Sequence, residues 1–364
     1  MRIGHLTLLH GYNYGGLLQA FATQQILRSY GHEVITLDYH PARRMQLLRR
    51  ACRNFRPLFH PLASFSDKLK FSGTSEFNAF RERHFTFSKP CSAIGDLESA
   101  CQDFDAVVVG SDQVWSPDWV RAPFFIDFDL TPSCRRVSLA ACAGHTCEDF
   151  EYRAYVARTL SRFNKISVRD QITADLVRQT TGKAPTIVCD PTLATEVPAV
   201  PVPGFSGSYI LVYIINRKHS IPLATEAILK LKRETGLPVH SIPPAEIKGK
   251  CGLPSDKIFG PISPFQWTHL IANASWVVTD SFHGTIFALR NHCNFTVINS
   301  GFKTVGRIFE LLSATGLTDQ LVTTIPEEEF SSIGPETWLV SDSHLFEKSR
   351  AYHKFLMESL ATAA

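Results

Sequence analysis

The 364-residue sequence has no run approaching the roughly 18 consecutive apolar residues of a membrane-spanning helix, so no span is expected. Its nine cysteines include no C-x-x-C pair and no zinc-like ligand spacing. That pattern excludes the common structural zinc modules, and no metal site is expected. Several cysteines sit in apolar stretches, such as Cys189 in "TIVCDP", and read as buried reduced thiols of a cytoplasmic protein. Net charge is small as well, since 37 Lys+Arg against 34 Asp+Glu leave +3. So weak a bias argues against a dedicated nucleic-acid binder. There is no internal repeat and no low-complexity tract. The opening "MRIGHLTLLHGYNYGG" reads as a first strand rather than a signal peptide, because Asn and Gly break its short apolar run.

What is present is alternation. With 44% apolar and 20% charged residues the chain is globular, and its length favours two domains. Short Val/Ile-rich runs ("IGHLTLL", "EVITLDY", "FDAVVVGSD", "RRVSLAACAG", "KISVRD", "TIVCDPTL") predict strands. Helical periods separate them: Leu18, Ala22, Ile26 and Tyr30 form an i+4 ridge that stops at Gly31, and "QITADLVRQTTG" stops at Gly182. "TEVPAVPVPGFSGS" (195–208), with three prolines and two glycines, breaks the pattern and reads as a linker. The alternation then restarts through "YILVYIIN", "PVHSIP", "SWVVTDSF" and "FTVIN". The expected organisation is a first α/β domain (1–195), a linker (196–208), a second α/β domain (209–330) and a helical C-terminal segment (331–364). Parallel sheets covered on both faces place a ligand cleft at the strands' carboxyl ends. The basic stretch "PARRMQLLRRACRNFRPLF" (41–59) offers peripheral contact with a membrane surface or an anionic substrate. A solvated helical hairpin is the competing reading.

Five polar clusters come directly after predicted strands: "GYNYGG", "VVGSDQVW", "SVRDQ", "CDPTL" and "VTDSFHGT". In the first, Asn13, Tyr14, Gly15 and Gly16 allow close backbone approach, and the next helix offers unpaired N–H groups. A tight turn explains the same residues, and neither G-x-G-x-x-G nor a Walker lysine is there. In the second, Asp112 suits a base towards a hydroxyl and Ser111 a donor to an anion, although both also suit a helix cap. Gln113 lies between them and Trp115, whose indole either stacks on a sugar or closes the core. Arg169 has the planar fork for a carboxylate or phosphate, unless it pairs with Asp170 or Asp175. His283, at a strand-to-helix junction beside Asp280, Ser281 and the space left by Gly284, is the sharpest candidate for proton transfer. Lys303 and Arg307 lead into a helix and would add positive charge to the same cleft.

Taken in order, "NYGGLLQAFATQQILRSYGHEV", "VVGSDQVW", "SVRDQ", "DPTL", "TDSFHGTIFAL" and the Lys303-to-Leu317 run resemble the polysaccharide pyruvyl transferase family. The resemblance implies an α/β fold of two Rossmann-like domains in a GT-B-like arrangement, with the C-terminal helix returning to the first domain. It implies phosphoenolpyruvate as co-substrate, no further cofactor, and a sugar of a surface polysaccharide or its lipid-linked precursor as acceptor. The product is then a cyclic pyruvate ketal, made at the inner face of the membrane. By the same resemblance His283 is the acid/base, with Asp112 activating a hydroxyl. Arg169, Arg307, Lys303, Ser281 and Gly284 fall at the donor. Asn13, Tyr14, Gly15, Gly16, Ser111, Gln113 and Trp115 fall at the acceptor or cleft. Some relatives carry arginine at the position of Ser281, so Arg307 or Lys303 must supply that charge here. Two alternatives stand beside this reading: a GT-B glycosyltransferase using a sugar nucleotide, and a non-enzymatic scaffold or sensor in polysaccharide assembly.

Overall fold

In a computed structural model of the chain, residues 1–40, 74–119, 122–244, 252–299, 301 and 305–361 are described. The basic stretch 41–59 and Lys303 lie outside these residues. The ten predicted strands, joined by two short unpredicted ones at 257–258 and 321–322, assemble into two six-stranded sheets in which every pairing between strands is parallel. The first contains β1 (Arg2–Leu6), β2 (Glu33–Thr36), β3 (Ala106–Val109), β4 (Arg135–Ala141), β5 (Lys165–Val168) and β6 (Thr186–Ile187). Its order is β2-β1-β3-β4-β5-β6. The second contains β7 (Ile210–Tyr213), β8 (Val239–Ser241), β9 (Lys257–Ile258), β10 (Trp276–Thr279), β11 (Asn294–Ile298) and β12 (Leu321–Val322). Its order is β12-β11-β10-β7-β8-β9. Both orders reverse at one point, between β1 and β3 in the first sheet and between β7 and β10 in the second. In open α/β sheets, ligands bind outside the carboxyl ends of the strands at such reversals.

The first domain carries five helices among the described residues: α1 (Tyr14–Ser29), α2 (Ser75–His84), α3 (Ile94–Ala100), α4 (Phe150–Leu160) and α5 (Gln171–Thr181). After β7 come α6 (Arg217–Thr235), α7 (Pro264–Ala272), α8 (Phe282–Arg290), α9 (Val305–Ala314) and α10 (Pro335–Leu360). No helix among the described residues is long and apolar enough to cross a membrane. The glycine stop at Gly182 is a left-handed C-cap of α5 with φ 71°, a conformation that glycine adopts without steric cost.

The single apolar ridge expected of α1 is too narrow an account. Residues 14–24 are all buried, along with Ile26 and Leu27, because the helix lies between its own sheet and the second domain. A helix buried all round needs small and apolar residues on every face. Tyr14 stacks on Trp267 of α7, with centroids 5.5 Å apart and planes 6° from parallel, and Phe21 meets Phe265 edge-on at 5.1 Å. One apolar cluster therefore runs from Leu9, Tyr14, Leu18 and Phe77 into Tyr213, Trp267 and Phe287.

The long C-terminal helix crosses back to the first sheet. Tyr352, Phe355, Leu356 and Leu360 of α10 pack with Ile3, Ile26, Val34, Val108 and Val137. Burying each apolar side chain of this size contributes roughly 1.5–3 kcal/mol. The end of the helix is fixed by Arg135, whose Nη1 donates to the carbonyls of Ser359 (3.1 Å) and Ala361 (2.7 Å).

Candidate functional site

The polar cluster after β10 is built around buried hydrogen bonds. Thr279 donates its hydroxyl to the Tyr213 carbonyl (2.7 Å), tying β10 to β7. Asp280 accepts from the backbone N–H groups of Ile215 (2.7 Å) and Asn216 (2.9 Å) and from the Ser220 hydroxyl (2.6 Å). Its carboxylate thus fixes the loop that leaves β7. Burial nevertheless raises its pKa, against the pull of those donors. Ser281 is the N-cap of α8 and accepts from Gly284 N–H at 3.2 Å. These bonds set the first turn of α8 so that His283 faces the first domain.

There the ring meets the start of α1. A Cβ built on Gly15 would fall within the imidazole of His283. Close approach of backbone to ring is what this glycine provides. Asn13 caps α1, its Oδ1 accepting from Gly16 N–H at 3.0 Å. The "NYGG" turn is thus a helix start whose backbone forms one wall for the histidine.

Charged groups from the first sheet complete the site. His283 Nε2 lies 3.4 Å from Asp190 Oδ2. This distance is within ionic reach but outside hydrogen-bond geometry, and Nε2 is buried without a hydrogen-bond partner. The same Asp190 oxygen accepts from Arg169 Nη1 at 2.6 Å. The other accepts from Thr192 N–H (3.0 Å) and its hydroxyl (2.7 Å). Burial pushes the Asp190 carboxyl up, but the charges of His283 and Arg169 and the donated hydrogen bonds overcome it. The carboxyl is held well below the usual carboxylate range. Arg169 is buried too; burial lowers its pKa, and the neighbouring Cys142, Asp190 and Asp112 raise it further than that. Arg169 Nη2 reaches Asp112 Oδ1 at 3.4 Å, so its partners are Asp190 and Asp112, and the alternative pairing with Asp170 or Asp175 is not made. Asp170 instead caps α5, accepting from Thr173 N–H and from the Cys142 thiol (2.8 Å).

Arg307 of α9 enters from the second domain. Its guanidinium carbon lies 5.1 Å from the centre of the Phe282 ring, and that of Arg169 lies 4.6 Å from the same centre. Two cations therefore share one aromatic side chain, an arrangement that stabilises each by roughly 0.5–2 kcal/mol. Arg307 Nη1 is 3.8 Å from Cys142 Sγ. Burial, with Asp170 nearby, pushes that thiol up to about 11, so it stays protonated beside the guanidinium.

His283, Arg169, Arg307, Asp112, Gly15, Gly16, Ser281 and Gly284 are thereby brought together. Other candidates are not. Trp115 is fully buried in the first domain, donates Nε1–H to the Phe124 carbonyl (2.9 Å) and stacks near Phe125; it closes the core and presents no face to a sugar. Ser111 is also fully buried, and its hydroxyl is given to the Ala140 carbonyl at 3.0 Å rather than to an anion. Tyr14 belongs to the interdomain aromatic seam, not to an open cleft. Asn13 uses its side-chain oxygen on the helix cap. Gln113 lies half-buried against Gly144. Asp190 and Phe282 carry no role in the sequence reading, and the structure puts them at the centre. The signal for Asp190 was "CDPTL" at a strand end; for Phe282 only adjacency to His283. Among the described residues no group of three His, Cys, Asp or Glu side chains is arranged to hold a metal.

No curated protein matches the chain. Among solved structures, UGT89C1 of Arabidopsis thaliana complexed with UDP-L-rhamnose is similar over 98% of this chain and 97% of that one, at 10% identity and TM-score 0.54. TcCGT1 in complex with UDP is similar over 99% and 94%, at 12% identity and TM-score 0.49. The fold is thus that of two Rossmann-like domains in a GT-B-like arrangement. The sequence profile of the polysaccharide pyruvyl transferases matches residues 13–301, and the chain belongs to that family.

Proposed function

We propose that the protein transfers the pyruvyl group of phosphoenolpyruvate to two hydroxyls of one sugar in a surface polysaccharide or its lipid-linked precursor. The observation that carries this reading is the convergence of His283, Asp190, Arg169 and Arg307 from both domains onto one buried site. The donor is a small acid with a carboxylate and an enol phosphate whose methylene carbon must gain a proton. Two guanidiniums suit its anionic groups, since planar forks match carboxylate and phosphate. An imidazole with an orphaned nitrogen suits the proton transfer.

In this reading His283 protonates the methylene carbon, and positive charge develops at C2. One sugar hydroxyl adds to C2, helped by Asp112, which keeps a partly exposed side chain beside the start of α1. The C2–O bond to phosphate then breaks, and the second hydroxyl closes the ketal. Of the two hydroxyl protons, one replaces the proton given to the new methyl group and the other leaves with phosphate, so the reaction balances without a redox partner. Arg169 and Arg307 stabilise the charge that accumulates on phosphate as it departs. Asp190 holds the imidazole and Arg169 in register. A lipid-linked acceptor would bring the protein to the cytoplasmic face of a membrane.

The test is a reaction of phosphoenolpyruvate with candidate lipid-linked glycans, read by the mass increment of a pyruvate ketal and by phosphate release. Wild type is expected to give both, and His283→Ala to lose roughly 10²–10⁴-fold in rate while keeping its fold. Stabilisation of the wild type by a sugar nucleotide, with none by phosphoenolpyruvate, would overturn the reading in favour of glycosyl transfer. Unchanged pyruvylation by His283→Ala would remove His283 from the chemistry.

A further inference from the structure

Next to this site, with Asp190 and Phe282 in its lining, lies a cavity of about 100 Å³. That is several-fold below the roughly 300–1,000 Å³ of pockets that bury drug-sized ligands, and is room for a phosphate or small carboxylate group. Several parts of the chain line it, among them Arg169 and Asp170 after β5, Val188 and Asp190 after β6, Phe282 and Arg307 of α8 and α9, and Lys348 of the C-terminal helix α10. The last lies beyond residue 301, where the family match ends.

The hydrogen-bonding inventory of the lining is lopsided. Its carboxylates are already engaged. Asp190 accepts from Arg169 and Thr192, and Asp170 from Thr173 and the Cys142 thiol. Glu310 takes the Gln171 N–H with both oxygens, at 2.9 and 3.1 Å. Of its cations, Arg169 is paired with Asp190 and Asp112, whereas the other two are not matched in this way. Arg307 is 5% exposed, its buried Nε has no hydrogen-bond partner, and no carboxylate pairs with it among the described residues. Lys348 likewise makes no ion pair or hydrogen bond among the described residues. A buried donor left without an acceptor, such as Arg307 Nε, is rare in folded proteins, and its presence at a cavity beside the half-buried Lys348 points to an acceptor that arrives from outside.

We propose that this cavity is a phosphate-binding subsite and that Lys348 of α10 is one of its ligands, together with Arg307. The packing of α10 back across the first domain then does more than bury apolar surface: it carries a cation into the site. The phosphate group is either that of the donor or the free ion released from it. Naming the donor rests on the pyruvyl-transfer reading; the subsite itself does not.

The experiment measures binding of inorganic phosphate and of phosphoenolpyruvate by calorimetry to wild type, Lys348→Gln, Lys348→Arg and Lys354→Gln. The last is an exposed lysine on the same helix and serves as control. Thermal melts without ligand check that each variant is folded. Lys348→Gln is expected to weaken both ligands about tenfold, the loss of one charge-assisted hydrogen bond. Lys348→Arg should recover most of that, and Lys354→Gln should match wild type. In turnover the Lys348→Gln effect should appear in KM for phosphoenolpyruvate with kcat within about twofold. Wild-type affinity for phosphate in Lys348→Gln overturns the assignment, as does a wild type that binds neither ligand. A wild type that binds phosphate but not phosphoenolpyruvate, and loses phosphate on Lys348→Gln, supports the subsite while removing the proposed donor.

Discussion

The two halves end a central strand with similar polar triplets, Gly110–Ser111–Asp112 after β3 and Thr279–Asp280–Ser281 at the end of β10, and use them in opposite ways. After β10 a regular helix begins at once, so its unpaired N–H groups must be met. Ser281 caps it, Asp280 holds the neighbouring loop, and the residue left to face the cleft is His283. After β3 no long helix begins. The chain instead turns with Gly110 at φ 121° and Asp112 at φ 71°, a left-handed conformation that Asp tolerates better than most side chains. With no cap to supply, the Asp112 carboxylate stays at the cleft, while Ser111 is turned into the core. Identical residue types thus become structural or reactive according to whether a helix or a tight turn succeeds the strand.

The largest effect that would test this division concerns Asp190, which binds the two halves electrostatically. Asp190→Asn removes the only charge within 3 Å of the buried Arg169 among the described residues and is expected to cost about 3–5 kcal/mol of stability. The pH dependence has a definite sign. A carboxyl held below its unfolded value contributes stability that is complete above roughly pH 4 and is lost as pH falls through the folded value. Asp280 is shifted the other way by burial, so its contribution becomes more favourable as pH falls. Melting curves between neutral and acid pH should show Asp190→Asn flattening the acid loss of stability and Asp280→Asn steepening it. Matching pH slopes for the two variants would erase the distinction.

A smaller effect separates the two triplets directly. Asp280→Asn leaves buried N–H donors facing an amide that cannot accept from all of them, and should destabilise the fold by roughly 1–3 kcal/mol. Asp112→Asn should leave the melting temperature within about 2 °C of wild type while lowering kcat roughly 10–100-fold. Should Asp112→Asn instead unfold the protein with normal turnover of the fraction that stays folded, the assignment of roles is reversed.

Much of this was legible in the sequence, for physical reasons that can be named. Buried parallel strands are runs of Val and Ile, so "VVV" at 107–109 and "WVVT" at 276–279 marked both central strands and hence the polar residues after them. The helix stop at Gly182 was visible because few other residues adopt φ near 71°. What could not be read was the pairing of residues far apart in the chain. Gly15 reads equally well as a turn or a ligand cradle, and only the docking of α8 against α1 shows that its missing side chain is the space filled by His283. Asp190 lies 21 residues from Arg169, and no local pattern says that the two meet. The near-complete burial of α1 depends on a second domain packing over the face that a one-domain view assigns to solvent.

The last effect bears on Trp115, where residue type alone misleads. An indole two positions before a proline at a strand end invites a sugar, and the first-half cluster would then resemble the second in facing the cleft with a ring. The ring is instead enclosed by Phe125 and Phe163, and its Nε1–H is given to the Phe124 carbonyl. Trp115→Phe keeps an aromatic of smaller size and removes that donor, leaving one carbonyl unpaired and a gap in the core. The expected loss is about 1–3 kcal/mol of stability, seen as a lower urea midpoint at an unchanged slope. The KM for the acceptor sugar should match wild type, because no part of the ring reaches solvent. A rise in that KM with stability unchanged would return the tryptophan to the cleft and make the two strand ends alike.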